Sequence, residues 1–517
     1  MRKSAFFQFT KSRQAVLTLA SLLLMIYPAL IACSNISYRL SRWPPYDPWA
    51  AAEIVEGWRA SSHMPVYEPH GVGHATLVYG PAEPLVLGWA FEIFGPTRLI
   101  PQLLSVGGAL WLVLLGWLIL RPFLTLMTQC LAILSLIALE CGVSYYSEGR
   151  PDYPAWAISF SGLLLALYGG HNRSLGSLLT GSILITAGVC FKQTAAMLVI
   201  VPPLVLLCVD LNRHSFYSFL LTLTPIVFVS ALFLSFYAFT PELYYYMMVL
   251  PRLYPVSLGA WLKYLGEFIA GAVSLWFGLG WVLAAGSPLS QFGSKWWQHT
   301  CWMAVTFIVT VLGGTLTMAK YGGWYNSLIP SWFSLITLSW LLLAPFLGFS
   351  QQNVRGSPKG YQTLLSTVII ILTILHGPGA NGITRNPLTA LRNFLTALRN
   401  FRTADQDNKE YADVISQVQS LQGNVLSMED PTVTLFAKDK IDRSIYLEYD
   451  AIVWPDADLA SALPQPIVGE LLKADYIVHL RKMRPNPIES HDLEGLGFEM
   501  NWSNDSYAIW KARRRPR

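Results

Sequence analysis

The chain has 517 residues, of which 53% are hydrophobic, 13% aromatic and only 13% charged, with a mean hydropathy of +0.40. A soluble globular domain carries roughly 25% charged residues, so this composition excludes one and predicts a multi-span membrane protein. The net charge of +5 is spread over short loops without a basic stripe, which excludes a nucleic-acid partner, and the six cysteines have no paired spacing, which excludes a disulfide framework or a cysteine metal site.

Arg2, Lys3, Lys11 and Arg13 precede an uncharged run from Ala15 to Cys33, about long enough to cross roughly 30 Å of hydrocarbon. Positive charge before the span places the N-terminus in the cytoplasm and the following loop, 34–98, outside. Within that loop Ala51, Ile54, Val55 and Trp58 recur at helical spacing, with Glu53, Glu56 and Arg59 elsewhere on the helix, which predicts an amphipathic helix from Pro48 to Ser61 lying on the membrane surface. Pro81 to Phe94 is apolar but too short to span and reads as a second interfacial helix. Further spans are predicted at 99–120, 123–143, 154–168, 175–189, 195–209, 216–239, 266–285, 299–318, 327–349 and 362–375, about eleven in all. This count puts Arg121, Arg173, Arg213, Lys295, Arg355 and Lys359 on the cytoplasmic side. The two short runs around Lys192 also fit a single broken or re-entrant pair.

Residues 1–377 therefore form the membrane domain and 378–402 a juxtamembrane amphipathic linker, in which Leu388–Phe394 is repeated at once as Leu395–Phe401. Residues 403–517 have a soluble composition. Strands are predicted at 424–427, 445–449, 476–480, 498–502 and 507–512, with helices at 413–422 and 460–473, giving a small extracytoplasmic α/β domain. It contains no phosphate loop, metal spacing or nucleophile motif, so the chemistry is expected in the membrane domain.

Three outer-facing constellations can carry that chemistry. The first is Tyr46-Asp47 with Glu53, His63, Glu68, His70 and His74; the second is Glu148, Arg150 and Asp152; the third is Lys192, Arg252, Lys263 and Lys320. Acids beside a bilayer are costly unless used or paired, and a carboxylate under an apolar roof can act as a general base. Cations at the same depth suit a lipid phosphate. Sugar transfer from a lipid phosphate needs both, a base for the acceptor hydroxyl and cations for the departing phosphate. Blander roles compete: Asp47 can cap the helix opening at Pro48, Asp152 can pair with Arg150, and Lys192 can snorkel to the interface.

The order of short pieces resembles the polytopic GT-C glycosyltransferases, particularly the bacterial branch of lipopolysaccharide-core sugar, aminoarabinose and protein mannosyltransferases. The pieces are Tyr46-Asp47, then Tyr79-Gly80-Pro81 with Pro84-Leu85 and Phe94-Gly95-Pro96, Gly149-Arg150-Pro151-Asp152, Phe191-Lys192-Gln193-Thr194, and Lys320-Tyr321-Gly322-Gly323-Trp324-Tyr325-Asn326 before Pro330. The resemblance implies a GT-C-like helical membrane fold and transfer of a sugar from a polyprenyl-phosphate carrier to a lipid, glycan or protein acceptor on the outer face. It implies Asp47 as catalytic base, Asp152 as the second outer acid with Glu148 competing for that role, and Arg150, Lys192, Lys320 and Arg252 on the donor phosphate. Tyr46, Tyr79 and Asn326 are the expected substrate contacts. Many relatives have a second acid directly after the first; here Pro48 stands there, so a divalent metal, held by Asp47 and Glu53, is left open. The rival functions are a transporter or flippase of lipid-linked saccharides, which predicts an inverted pair of broken spans not found in the two halves, and a non-catalytic membrane scaffold.

Overall fold

The computed structural model describes residues 2–42, 48–69, 78–139, 148–209, 216–284, 293–320, 323, 325–347, 360–376, 387–442, 444–445, 465–481, 488 and 490–513. The chain opens with α1 (Arg2–Ser41), followed by α2 (Pro48–Ser61), α3 (Ala82–Phe94), α4 (Leu99–Leu120) and α5 (Leu126–Ala138). Among the described residues four helices are long and apolar enough to cross a membrane: Leu19–Ser41 within α1, α4, Ser294–Met318 and Tyr325–Pro345. The predicted spans 154–168, 175–189 and 362–375 are unbroken helices slightly longer than expected, Asp152–Asn172, Leu175–Phe191 and Gly360–His376, 123–143 contains the shorter α5, and three others are broken. The first span continues past Cys33 to Ser41. The segment 195–209 starts as a 3-10 helix, Gln193–Ile200, and becomes α-helical only at Val201. The segment 216–239 is interrupted between Thr222 and Thr224, where Pro225 opens the second piece, and 266–285 is divided at Ala272. Hydropathy does not register such breaks, because both sides of each are apolar.

The Tyr325–Pro345 window is 100% buried and Leu19–Ser41 only 28%, so the former is the axis of the bundle and α1 its rim. The axial helix packs Trp332, Phe333, Ile336, Trp340 and Leu343 into the main core. Small hydroxyls link helices there: Ser274 to Ser339 at 2.8 Å, Thr310 to Ser334 at 3.1 Å, and Trp340 Nε1 to Ser135 Oγ at 2.9 Å. Such bonds, with small residues at contacts, are how helices associate where surrounding lipid removes the hydrophobic driving force. Leu23, Leu30, Leu103, Leu110, Ile183, Val227, Leu234 and Leu316 face outward and are exposed, an apolar belt suited to lipid. The chain is an integral membrane protein.

After the bundle, a helix of 34 residues runs from Pro387 to Ser420. The tandem repeat and most of the predicted helix at 413–422 lie on this one continuous helix. Its end packs Tyr411, Val414 and Val418 on one face of a four-stranded sheet, through Val425, Val478, Tyr507 and Ile509. The strands are β1 (Val425–Leu426), β2 (Tyr476–Leu480), β3 (Phe498–Ser503) and β4 (Tyr507–Ala512), in the order β1-β2-β4-β3 with only β1 and β2 parallel. Alternation along β2 sends Val478 to that face and Ile477 to the other, where Leu471, Phe498 and Trp510 lie. Of the strand predicted at 445–449 only Ile445 is within the described residues.

The domain is seated on the two short helices α2 and α3. Leu435 enters the apolar cluster of Ile54, Val55, Leu87 and Phe91, Arg42 pairs with Asp407 at 2.9 Å, and Asn408 Nδ2 donates to the Ser41 carbonyl at 3.0 Å. This seating corrects the expectation that α2 lies open on the membrane surface. The C-terminal domain packs on Ile54 and Val55 of α2, while the acids of this helix are also buried, Glu53 beside Arg150, Asp152 and Lys192 and Glu56 beside Arg59 and Glu68.

Burial lifts the Glu56 carboxyl from 4.5 to about 7, opposed by Arg59, whose Nε lies 3.7 Å from Oε2. The folded state therefore keeps a proton that the unfolded chain gives up, and this group's contribution to stability falls as pH rises from about 4.5 to 7. Glu56→Gln is expected to unfold close to wild type at pH 5 and to be more stable at pH 8, by up to about 3 kcal/mol. Thermal unfolding in detergent at both pH values checks this; an advantage that does not grow with pH would refute it.

Candidate active site

The site begins with a helical hairpin. The helix Asp152–Asn172 ends at Arg173, which takes a left-handed conformation with φ 55°, and Ser174 caps the return helix Leu175–Phe191 by accepting from Ser177 N. The two helices are in backbone contact: a Cβ on Gly162 would lie 2.5 Å from the Gly181 carbonyl, and one on Gly188 would lie 1.9 Å from Ser159 Oγ. Antiparallel packing at that range sets the first residue of one helix, Asp152, beside the residue after the other, Lys192.

Both side chains are buried, at 1% and 4% exposure. Lys192 Nζ donates to Asp152 Oδ1, and Asn326 Nδ2 donates to Oδ2 at 3.2 Å, so both carboxylate oxygens are held. The Lys192 ammonium also lies 5.0 Å from the centre of the Tyr79 ring. The segment carrying Tyr79 is strapped to the same place. Gly80 N donates to the Phe191 carbonyl at 3.3 Å, Gln193 Nε2 to the Val78 carbonyl at 2.8 Å, and Tyr67 Oη to the Tyr79 carbonyl at 2.7 Å. A Cβ on Gly80 would fall 1.9 Å from the Cys190 carbonyl oxygen, so no other residue fits there.

Glu148 and Arg150 form the adjoining layer. Glu148 lies 3.5 Å from both Arg39 and Arg150, and Ser105 Oγ accepts from Arg150 N at 3.0 Å and donates to its carbonyl at 2.9 Å. The Arg150 guanidinium sits 5.6 Å from the centre of the Trp49 ring. Glu53 of α2 and Glu83 of α3 complete the cluster, and none of their four carboxylate oxygens has a hydrogen-bond partner among the described residues. Burial, reinforced by their acidic neighbours and opposed by Arg150 and Lys192, holds both carboxyls well above the usual carboxylate range.

The structure thus brings together Asp152, Glu148, Arg150, Lys192, Tyr79, Asn326 and Glu53 of the expected set. Tyr46 and Asp47 lie outside the described residues, as do His70 and His74, while the helix that follows Asp47 starts at Pro48 and carries Trp49 to Arg150. Asp152 takes the distant Lys192 as its ion-pair partner rather than the neighbouring Arg150. Lys320 donates to the Pro251 carbonyl at 3.1 Å; burial and then Arg252 lower its ammonium, and Arg252 and Lys263 are exposed. His63 is exposed, and Glu68 pairs with Arg59. Among the described residues no three His, Cys, Asp or Glu side chains form a group that could hold a metal ion. Glu83, Arg39 and Ser105 were not singled out in the sequence. An acid in the first turn of the apolar α3 was the available signal for Glu83, whereas nothing local marks the other two.

No protein-family model matches the sequence, and no curated protein matches it. Among solved structures the chain is similar to ArnT from Cupriavidus metallidurans in the apo state, at 13% identity and a TM-score of 0.55 over 95% of this chain and 98% of that one. The same protein bound to undecaprenyl phosphate gives 11%, 0.52, 95% and 98%. The oligosaccharyltransferase AglB from Archaeoglobus fulgidus, in complex with an inhibitory peptide and a dolichol-phosphate, gives 11% and 0.46, with 90% of this chain and 69% of that one covered. At these identities the likeness to ArnT is one of fold, and the chain has the helical GT-C glycosyltransferase fold with a small C-terminal mixed sheet.

Proposed function

We propose that the protein is a glycosyltransferase that moves a sugar from a polyprenyl-phosphate carrier to a lipid, glycan or protein acceptor on the extracytoplasmic face of the membrane, with its N-terminus in the cytoplasm. The observation that carries this reading is the buried Asp152–Lys192–Asn326 group beside Arg150, at the end of the bundle where the loop bearing Asp47 enters α2. Helices of a membrane bundle do not gather buried acids and cations at one end without a use for them. The fold shared with ArnT, a structure of which holds undecaprenyl phosphate, supports the same reading.

In this reaction Asp47 takes the proton from the acceptor hydroxyl as that oxygen attacks the anomeric carbon. The new C–O bond forms while the bond from the anomeric carbon to the carrier phosphate breaks, and the phosphate leaves with the electron pair. A single displacement of this kind inverts the anomeric centre. Lys192 donates one of its three N–H groups to Asp152, and the others suit phosphate oxygens. Arg150, steadied by Glu148 and the Trp49 ring, adds a second fixed cation, and such preorganised charge stabilises the leaving group without reorganisation. Asp152 and Asn326 hold Lys192 in place, and Tyr79 borders it.

Asp47→Asn is expected to lower transfer of labelled sugar from a polyprenyl-phosphate donor by about 10²- to 10⁴-fold, the usual worth of a general base, with the donor still bound. Retained transfer by the folded variant would remove the role. Lys192→Met leaves Asp152 buried without its cation and is expected to cost about 3–5 kcal/mol of stability, much of which Asp152→Asn in the same chain restores. Polyprenyl-phosphate binding should remain weak in both variants. Binding at wild-type strength by the double variant would show that Lys192 does not hold the phosphate.

A further inference from the structure

Trp49 stands two residues after Asp47 and has contacts on two sides. On one side its ring lies under the Arg150 guanidinium, 5.6 Å from centroid to carbon. On the other it packs against the apolar core of the C-terminal domain, the cluster that contains Leu426, Ile477, Phe498 and Trp510. The same domain grips α2 a turn or two later, where Leu435 sits with Ile54 and Val55, and holds the end of α1 through Arg42–Asp407 at 2.9 Å and the Asn408–Ser41 bond at 3.0 Å. The C-terminal domain therefore touches both the end of α1 and the start of α2.

From this geometry we infer that the C-terminal domain is a working part of the transferase, which sets the place of Arg150, and that Trp49 is the positioning residue through which it acts. The inference rests on the glycosyltransferase reading above. A domain without catalytic motifs acquires a defined role in it: its apolar core backs the ring that lies against the Arg150 guanidinium. A ring against Arg150 also limits the rotamers of a long side chain whose guanidinium must meet a phosphate, and small misplacements of such groups cost large factors in rate. Arg150 is itself braced from below by Ser105 and Glu148, so Trp49 supplies the constraint from the side of the domain.

The test uses the full-length protein in lipid vesicles, with transfer from a polyprenyl-phosphate sugar followed as kcat and donor KM, and thermal unfolding recorded for each variant. Trp49→Ala is expected to lower kcat by about tenfold, with donor KM changed by less than about twofold. Trp49→Phe, which keeps an aromatic face, is expected to retain activity within about threefold of wild type. Leu435→Ala loosens the domain on α2 and should lower kcat in the wild-type background, while adding almost nothing when combined with Trp49→Ala, because both changes remove one constraint. Independent, multiplying losses would overturn the inference, as would a Trp49→Phe variant as slow as Trp49→Ala, or a loss in Trp49→Ala that tracks its unfolding temperature alone. If the wild-type protein transfers no sugar from any polyprenyl-phosphate donor, the glycosyltransferase reading fails and takes this inference with it.

Discussion

A carboxylate and an ammonium buried together at the end of an apolar bundle are the constraint that the rest of this structure meets. Separated, either charge would lose several kcal/mol of hydration with nothing in return; paired, and with the second carboxylate oxygen taken by Asn326, Asp152 and Lys192 are tolerable in a low-dielectric setting. The pairing depends on distance, and the distance depends on Gly162 and Gly188, which let the two helices of the hairpin touch backbone to backbone. Gly80 extends the same logic to the incoming strap, whose carbonyls and amides dock on Phe191 and Gln193.

Around this pair the protein adds charge in layers rather than diluting it. Arg39, Glu148 and Arg150 form one buried group, and Glu53 and Glu83 bring two further acids whose oxygens have no hydrogen-bond partner among the described residues. Stability alone does not favour such an assembly, since apolar residues of similar volume would pack at lower cost. Its concentration at one end of the bundle, beneath α2, α3 and the C-terminal domain, is what directs the functional reading to that end. The opposite end is built for another purpose. Arg121 rests on Trp117, and Phe123, His171, His299 and Trp302 form an aromatic and histidine girdle of the kind that anchors helices at an interface.

The GT-C fold supplies the frame for these groups but not their identity. At 11–13% identity to ArnT the fold is shared over 95% of the chain while few side chains are. The chemistry is therefore argued from Asp152, Lys192, Arg150 and Asn326 as they lie in this chain, in line with the general rule that function resides in sites placed on folds. The C-terminal domain, which looks detachable in the sequence, is joined to the bundle through the Arg42–Asp407 ion pair, the Asn408 side chain on the Ser41 carbonyl, and the apolar packing of Trp49 and Leu435.

The sequence by itself determined the membrane class, the short helices at 48–61 and 82–94, and the order of segments that marks the fold, because these follow from composition, periodicity and local pieces such as Tyr79-Gly80-Pro81. It also marked Lys192 and Asp152, since a charge at the end of an apolar run stands out, and Asn326 through the family resemblance of its segment. Only the tertiary structure decided who pairs with whom. Asp152 and Lys192 are forty residues apart and Asn326 is 174 from Asp152, separations that no local pattern resolves. The burial of Glu53 and Glu56 was hidden for a related reason: on a helix wheel they mark the polar side, and only the fold turns that side inward, setting Glu53 beside Arg150, Asp152 and Lys192 from about 100 and more residues further along the chain. Broken helices and the seating of the C-terminal domain were likewise settled by contacts between distant segments, which composition does not encode.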